Sequence, residues 1–197
     1  MRISNFVAAI LLSGVVASTA LAEQLDLEAI TAQPGTEVIK QDNGLWTISR
    51  GGVVISQYRM GDKIEALGVD NSGHGAVMCM WGLYVDLKTT LDYCLPDKFG
   101  DLKEELSVAI GQINDFIVQN SLTKVSPADI EGRIAKQEDN IRKRIRGIPR
   151  DELEMKCVPK GMIGIIENLQ STPREKFKAS IANLLSVPRP PVMNPCL

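Results

Sequence analysis

The chain has 197 residues, and its 22 Lys and Arg against 24 Asp and Glu leave a formal net charge of −2. Mild acidity offers no electrostatic footprint for nucleic acid, and a lone histidine, His74, excludes a two-histidine metal site. Neither a Gly-x-Ser-x-Gly elbow, a phosphate-cradling P-loop nor a GxGxxG turn is present.

Residues 1–22, MRISNFVAAILLSGVVASTALA, join an early positive charge at Arg2 to an uncharged apolar run and end in Ala20-Leu21-Ala22. That is the layout of a secretory signal peptide, with cleavage expected between Ala22 and Glu23. The run falls short of the about 20 residues of a membrane span, and no later stretch approaches that length. A soluble periplasmic or secreted protein is expected. The absence of an Asn-x-Ser/Thr sequon favours a bacterial periplasm.

Export sets the reading of Cys79, Cys94, Cys157 and Cys196, because thiols in an oxidising compartment end as disulfides. Their wide spacing does not suit zinc, whose ligands come in close pairs. Two bridges are expected, Cys94 with Cys157 and Cys79 with Cys196, from three possible connectivities. Closing a loop of about 60 residues removes roughly 4 kcal/mol of unfolded-state freedom, so the bridges are read as structural.

From Thr36 the apolar residues fall into short runs separated by turn residues: EVIKQ, LWTIS, VVISQYRM, KIEALGV and AVMCMWGLYV. This predicts an antiparallel meander of about five strands over 36–85. The last run is ambiguous, since Val77, Trp81, Tyr84, Lys88 and Leu91 would also share a helical face. The preferred reading is a strand to about Val85 and a short helical piece over 87–93. After Pro96 the period becomes 3.6, and three to four helices are expected to pack on the sheet. The first carries the stripe Leu102, Leu106, Ile110, Ile113, Ile117, with Asp101 and Glu104 as a capping pair. Ser126-Pro127 opens a second with the narrow seam Ile130, Ile134, Ile141, Ile145, ended by Gly147 and Pro149. Met162, Ile165, Ile166 and Leu169 suggest a third. Thr172 to Glu175 reads as a capping-box start for a fourth. The fold class is α+β, with one domain over 23–187 and an extended proline-rich tail over 188–197 stapled by Cys196.

Three features carry functional readings. His74 lies between Gly73 and Gly75 and is read as a solvent-facing turn residue in preference to a base or ligand. Trp46 and Trp81 sit in apolar runs and are read as core. Lys136, Arg142, Lys143, Arg144 and Arg146 crowd the end of the second helix. Cations there complement the helix dipole, and the thin apolar seam adds the option of an interface. The leading expectation is a non-catalytic protein-binding module of the cell envelope, of inhibitor, immunity or assembly-factor type. It needs no cofactor or metal and docks partly through that helix on another envelope or secreted protein. The alternatives are a small envelope-polymer hydrolase using two carboxylates and a carrier of a small apolar ligand held between sheet and helices.

Overall fold

The computed structural model describes residues 26–196, so the leader and cleavage expected at 1–22 lie outside the described residues. A short helix α1 (Leu27–Thr31), capped by the Asp26 carboxylate on the Ala29 amide at 3.0 Å, leads into the sheet. Strands β1 (Glu37–Lys40), β2 (Trp46–Arg50), β3 (Val53–Met60) and β4 (Lys63–Asp70) pair antiparallel in the order β1-β2-β3-β4. Side-chain alternation buries Trp46, Ile48, Arg50 and Val53 on one face. The opposite face leaves Ile39, Tyr58, Met60 and Leu67 in solvent.

AVMCMWGLYV, expected as a fifth strand to about Val85, is helical, and α2 (Val77–Cys94) also absorbs the helical piece expected at 87–93. The loop Asn71–Gly75 therefore turns the chain from sheet to helix and closes no hairpin. The physical reason is that α2 is enclosed on most sides: Val77, Cys79, Tyr84, Val85, Leu87, Leu91 and Cys94 are all buried. A helix wrapped in neighbours needs no polar stripe, so its apolar pattern loses the 3.6 period and resembles a buried strand.

Helix α3 (Gly100–Asn120) buries the stripe expected of it. Its capping pair does not form; Phe99, at φ 62°, is the N-cap, and Asp101 falls one position inside the first turn. Helix α4 (Pro127–Ile145) starts as expected, with a capping box between Ser126 and Asp129. A 3₁₀ turn (Arg150–Glu152) and α5 (Leu153–Cys157) then precede α6 (Lys160–Ser171) and α7 (Arg174–Leu184). Thr172 does not cap α7; its hydroxyl donates back to the Asn168 carbonyl at 2.8 Å. The result is the expected α+β class, a meander followed by helices. The helices pack chiefly on one another around Leu87, Leu91, Leu106 and Ile113, while the sheet keeps a small cluster of Ile30, Trp46 and Ile48.

The disulfides pair as expected, Cys79 with Cys196 and Cys94 with Cys157. Both start on α2, one at each end, so that helix is tied to the tail and to α5. Among the described residues no helix is long and apolar enough to cross a membrane.

Sheet and helices are joined by the tail, which runs extended between them. Arg189, 0% exposed, donates from Nε to Asp70 Oδ2 at 2.7 Å. Its other nitrogens reach the carbonyls of Val187 (2.9 Å), Gly75 (2.8 Å) and Leu184 (2.9 Å). The guanidinium also lies 5.7 Å from the Phe116 ring centroid. One side chain thus joins β4, the β4–α2 loop, α7 and α3. The tail backbone is held as well, by Asp70 N–H on the Asn194 carbonyl (2.8 Å) and Met78 N–H on the Val192 carbonyl (3.0 Å). Two glycines admit it. A Cβ at Gly51, which has φ +57°, would stand 2.5 Å from the Pro188 carbonyl oxygen, and one at Gly68 would overlap Val192.

Burial alone pushes the Asp70 carboxyl up; hydrogen bonds from Arg189 and Ser72, with the Arg189 charge, outweigh it and hold the group below the usual carboxylate range. Removing one partner of such a pair strands a buried charge, so Asp70→Ala should cost about 3–5 kcal/mol in urea unfolding. Because the folded-state pKa is the lower one, this stabilisation is present above about pH 4 and lost as pH falls through the folded value. Wild type should therefore destabilise more steeply than Asp70→Ala below about pH 4.

Candidate functional site

Two of the five cations at the basic end of α4, Arg142 and Lys143, are paired with acids of the same helix. Arg142 donates to the Tyr93 hydroxyl (2.9 and 2.6 Å) and to Glu138 (3.0 Å), and its guanidinium stacks 5.1 Å from the Tyr93 ring centroid. Lys143 pairs with Asp139 at 2.6 Å, and that bond, with the cations around it, holds the Asp139 carboxyl below its usual range. Arg144 leans toward the Cys157 carbonyl at 3.5 Å. Lys136 and Arg146 are exposed and, among the described residues, join no ion pair. At about 100° per residue, Lys136, Arg142, Lys143 and Arg144 spread over roughly 200° of the helix, with Asp139 among them and Glu138 just outside that arc. These cations therefore do not converge on one narrow face.

A different part of the same helix helps to form a cleft. The β3–β4 hairpin is longer than β2, which pairs only as far as Ser56. The sheet is fastened to the helices at one end, by the tail and by Arg50, which donates to the Asn120 carbonyl at 2.7 Å. Between the buried face of the sheet and the helices lies a cleft of about 250 Å³. Trp46, Ile55 and Ala66 face it from the sheet, and Met78 and Trp81 from α2. Its far wall is Ile117 with the loop residues Ser121, Leu122, Thr123 and Val125; Ile130 and Arg133 of α4 and the tail prolines Pro190 and Pro191 close it. Trp81 is fixed by its indole N–H, which donates to Asn114 Oδ1 at 2.7 Å, leaving the ring available as apolar wall. Trp46 is core, as expected, while Trp81 is only partly buried; both tryptophans border the cleft.

A second, larger groove of about 450 Å³ runs between α3 and α7, but Glu105, Gln112, Arg174 and Lys178 make up much of its lining. Its shape follows the rotamers of long polar side chains. The first cleft is walled mainly by packed rings and branched side chains, the lining usual for small-molecule sites.

His74 does not simply face solvent. Its Nδ1 lies 3.1 Å from Asn183 Oδ1 and 3.2 Å from Ser186 Oγ, joining the β4–α2 loop to the end of α7. A serine nucleophile gives its proton to the imidazole. Here the Ser186 hydroxyl donates to the Asn183 carbonyl at 2.8 Å, so the contact is structural. Two acids do share a cleft: Asp92 and Glu138 line about 230 Å³ between α2, α3 and α4. Each is matched by a cation, Asp92 by Lys88 at 2.6 Å and Glu138 by Arg142. No group of three or more His, Cys, Asp or Glu able to hold a metal occurs among the described residues.

Asn114 and the tail prolines were not legible as site residues, because no motif links them to Trp81 and only the fold brings them together. His74→Ala removes two partly exposed hydrogen bonds, so its unfolding free energy should fall by about 1 kcal/mol or less with both disulfides intact. No family model, curated protein or solved structure matches the chain.

Proposed function

We propose that this chain is an exported, non-catalytic binding protein that carries a small apolar ligand in the cleft between sheet and helices. The observation that carries the reading is the cleft itself, with two tryptophans and two prolines contributed by separately anchored elements. Export is supported by the leader-like sequence of residues 1–22 and by the two disulfides, with no free cysteine among the described residues.

Size argues for a small ligand. Pockets for drug-sized molecules run from about 300 Å³ upward, whereas an engineered apolar cavity of about 150 Å³ takes benzene. Burying an eight-carbon chain contributes about 6 kcal/mol, and association costs at least about 4 kcal/mol. Apolar contact alone therefore gives weak, quickly reversible binding, which suits carriage better than permanent retention.

A protein partner is the second reading. It is favoured by the outer face of the sheet, where Ile39 (52%), Leu67 (46%), Tyr58 (39%) and Met60 (57%) stand exposed. That reading shifts docking from the basic end of α4 to the meander.

Binding of N-phenyl-1-naphthylamine, a neutral apolar fluorophore, tests the carrier reading. Wild type should bind it saturably. Ala66→Arg, at an exposed position facing the cleft, should weaken binding at least tenfold, while Val108→Arg in the α3–α7 groove should not. Absence of saturable binding, or unchanged binding by Ala66→Arg, would overturn the reading.

A further inference from the structure

We infer that the ligand of the cleft is an amphipathic monocarboxylate whose carboxylate is received by Arg133. This rests on the carrier reading and adds the chemistry of the ligand's head. Among the described residues Arg133 is the one charged side chain lining the cleft, and no acid lines it. It stands on α4 three residues after Ile130, so both project from the same side of the helix: Ile130 is buried at the cleft wall and Arg133 is exposed at its mouth. Among the described residues Arg133 joins no ion pair. The acid one turn earlier, Asp129, feels the Arg133 charge but gives its hydrogen bonds to the cap, accepting from the Ser126 amide at 2.8 Å and hydroxyl at 2.6 Å.

The rim offers a second polar group, since Thr123 lines the cleft and is half-buried. The neighbouring Ser121 hydroxyl is already donated to the Ile117 carbonyl at 2.6 Å. A guanidinium at the open end of an apolar slot matches a carboxylate in shape as well as charge, because its parallel N–H groups can meet both oxygens. An ammonium head would be repelled there, and a hydroxyl head, uncharged and with a single oxygen, could not meet the parallel N–H groups or balance their charge. The apolar body would lie between Trp46 and Trp81, with the head in the wet mouth.

Calorimetric titration at pH 7.5 with octanoate, octanol and octylamine tests the assignment. Octanoate should bind at least tenfold more tightly than octanol, and octylamine most weakly. Arg133→Gln should lower octanoate affinity to the octanol level without changing octanol, Arg133→Lys should restore part of the preference, and Ala66→Trp, which fills the cleft without adding charge, should weaken binding of both. Equal affinity for octanoate and octanol, each weakened in Ala66→Trp, would overturn the carboxylate inference while leaving the carrier reading in place. An octanoate preference that persists in Arg133→Gln would overturn the role of Arg133. Failure of every ligand to bind would remove the carrier reading with it.

Discussion

Arg189 is enclosed where sheet, helices and tail meet, and its side chain touches β4, the β4–α2 loop, α7 and α3. Its charge is balanced by Asp70 at the end of β4, and three more of its N–H groups go to carbonyls of the β4–α2 loop, the end of α7 and the tail itself. A buried ion pair does not stabilise a protein merely by existing, since desolvating both charges costs about as much as their attraction returns. It does punish any arrangement that separates the partners. The pair therefore fixes how a four-stranded sheet with little core of its own sits against a helical body that carries most of the buried apolar surface.

The cleft is a consequence of that attachment. The sheet is held at the end where Asp70 and Arg50 reach across, and its longer hairpin continues past the anchor. Space remains under the hairpin because Pro190 and Pro191, carried in by Arg189, act as a spacer with no side chain long enough to fill it. The Cys79–Cys196 bridge closes the far end of the tail onto the first turn of α2, the same turn that presents Met78 and, one turn on, Trp81. The tail's anchors and the wall of the cleft are thus parts of one assembly.

Charge on α4 is met differently at its two ends. At its C-terminal end Arg142 and Lys143 pair with Glu138 and Asp139 one turn earlier, and the cations there complement the helix dipole. At its N-terminal end Arg133 joins no ion pair among the described residues, because Asp129 one turn earlier is held by the Ser126 cap, and it borders an apolar slot. The thin seam of Ile130, Ile134, Ile141 and Ile145 follows from this position: α4 lies at the edge of the helical body and turns little of its surface inward.

Local chemistry was enough to specify the first four strands, α3, the Ser126 cap of α4 and the extended tail, because turn glycines, a 3.6 period and prolines act over a few residues. It did not specify α2, since a helix surrounded by neighbours has no polar face to mark its period, nor the starts of α3 and α7, where Phe99 takes the N-cap position and the Thr172 hydroxyl turns back to the Asn168 carbonyl. The pairing Cys79–Cys196 and Cys94–Cys157 was one of three that the sequence allowed, and the packing of α2 between the tail and α5 decided it. Trp46, Trp81 and Arg133 were visible as residues, two of them read as core and one unremarked. Their meeting with Pro190 and Pro191, and the matching of Asp70 to Arg189 across 119 residues, come from contacts distant in sequence, and no local pattern encodes which buried charge will face which.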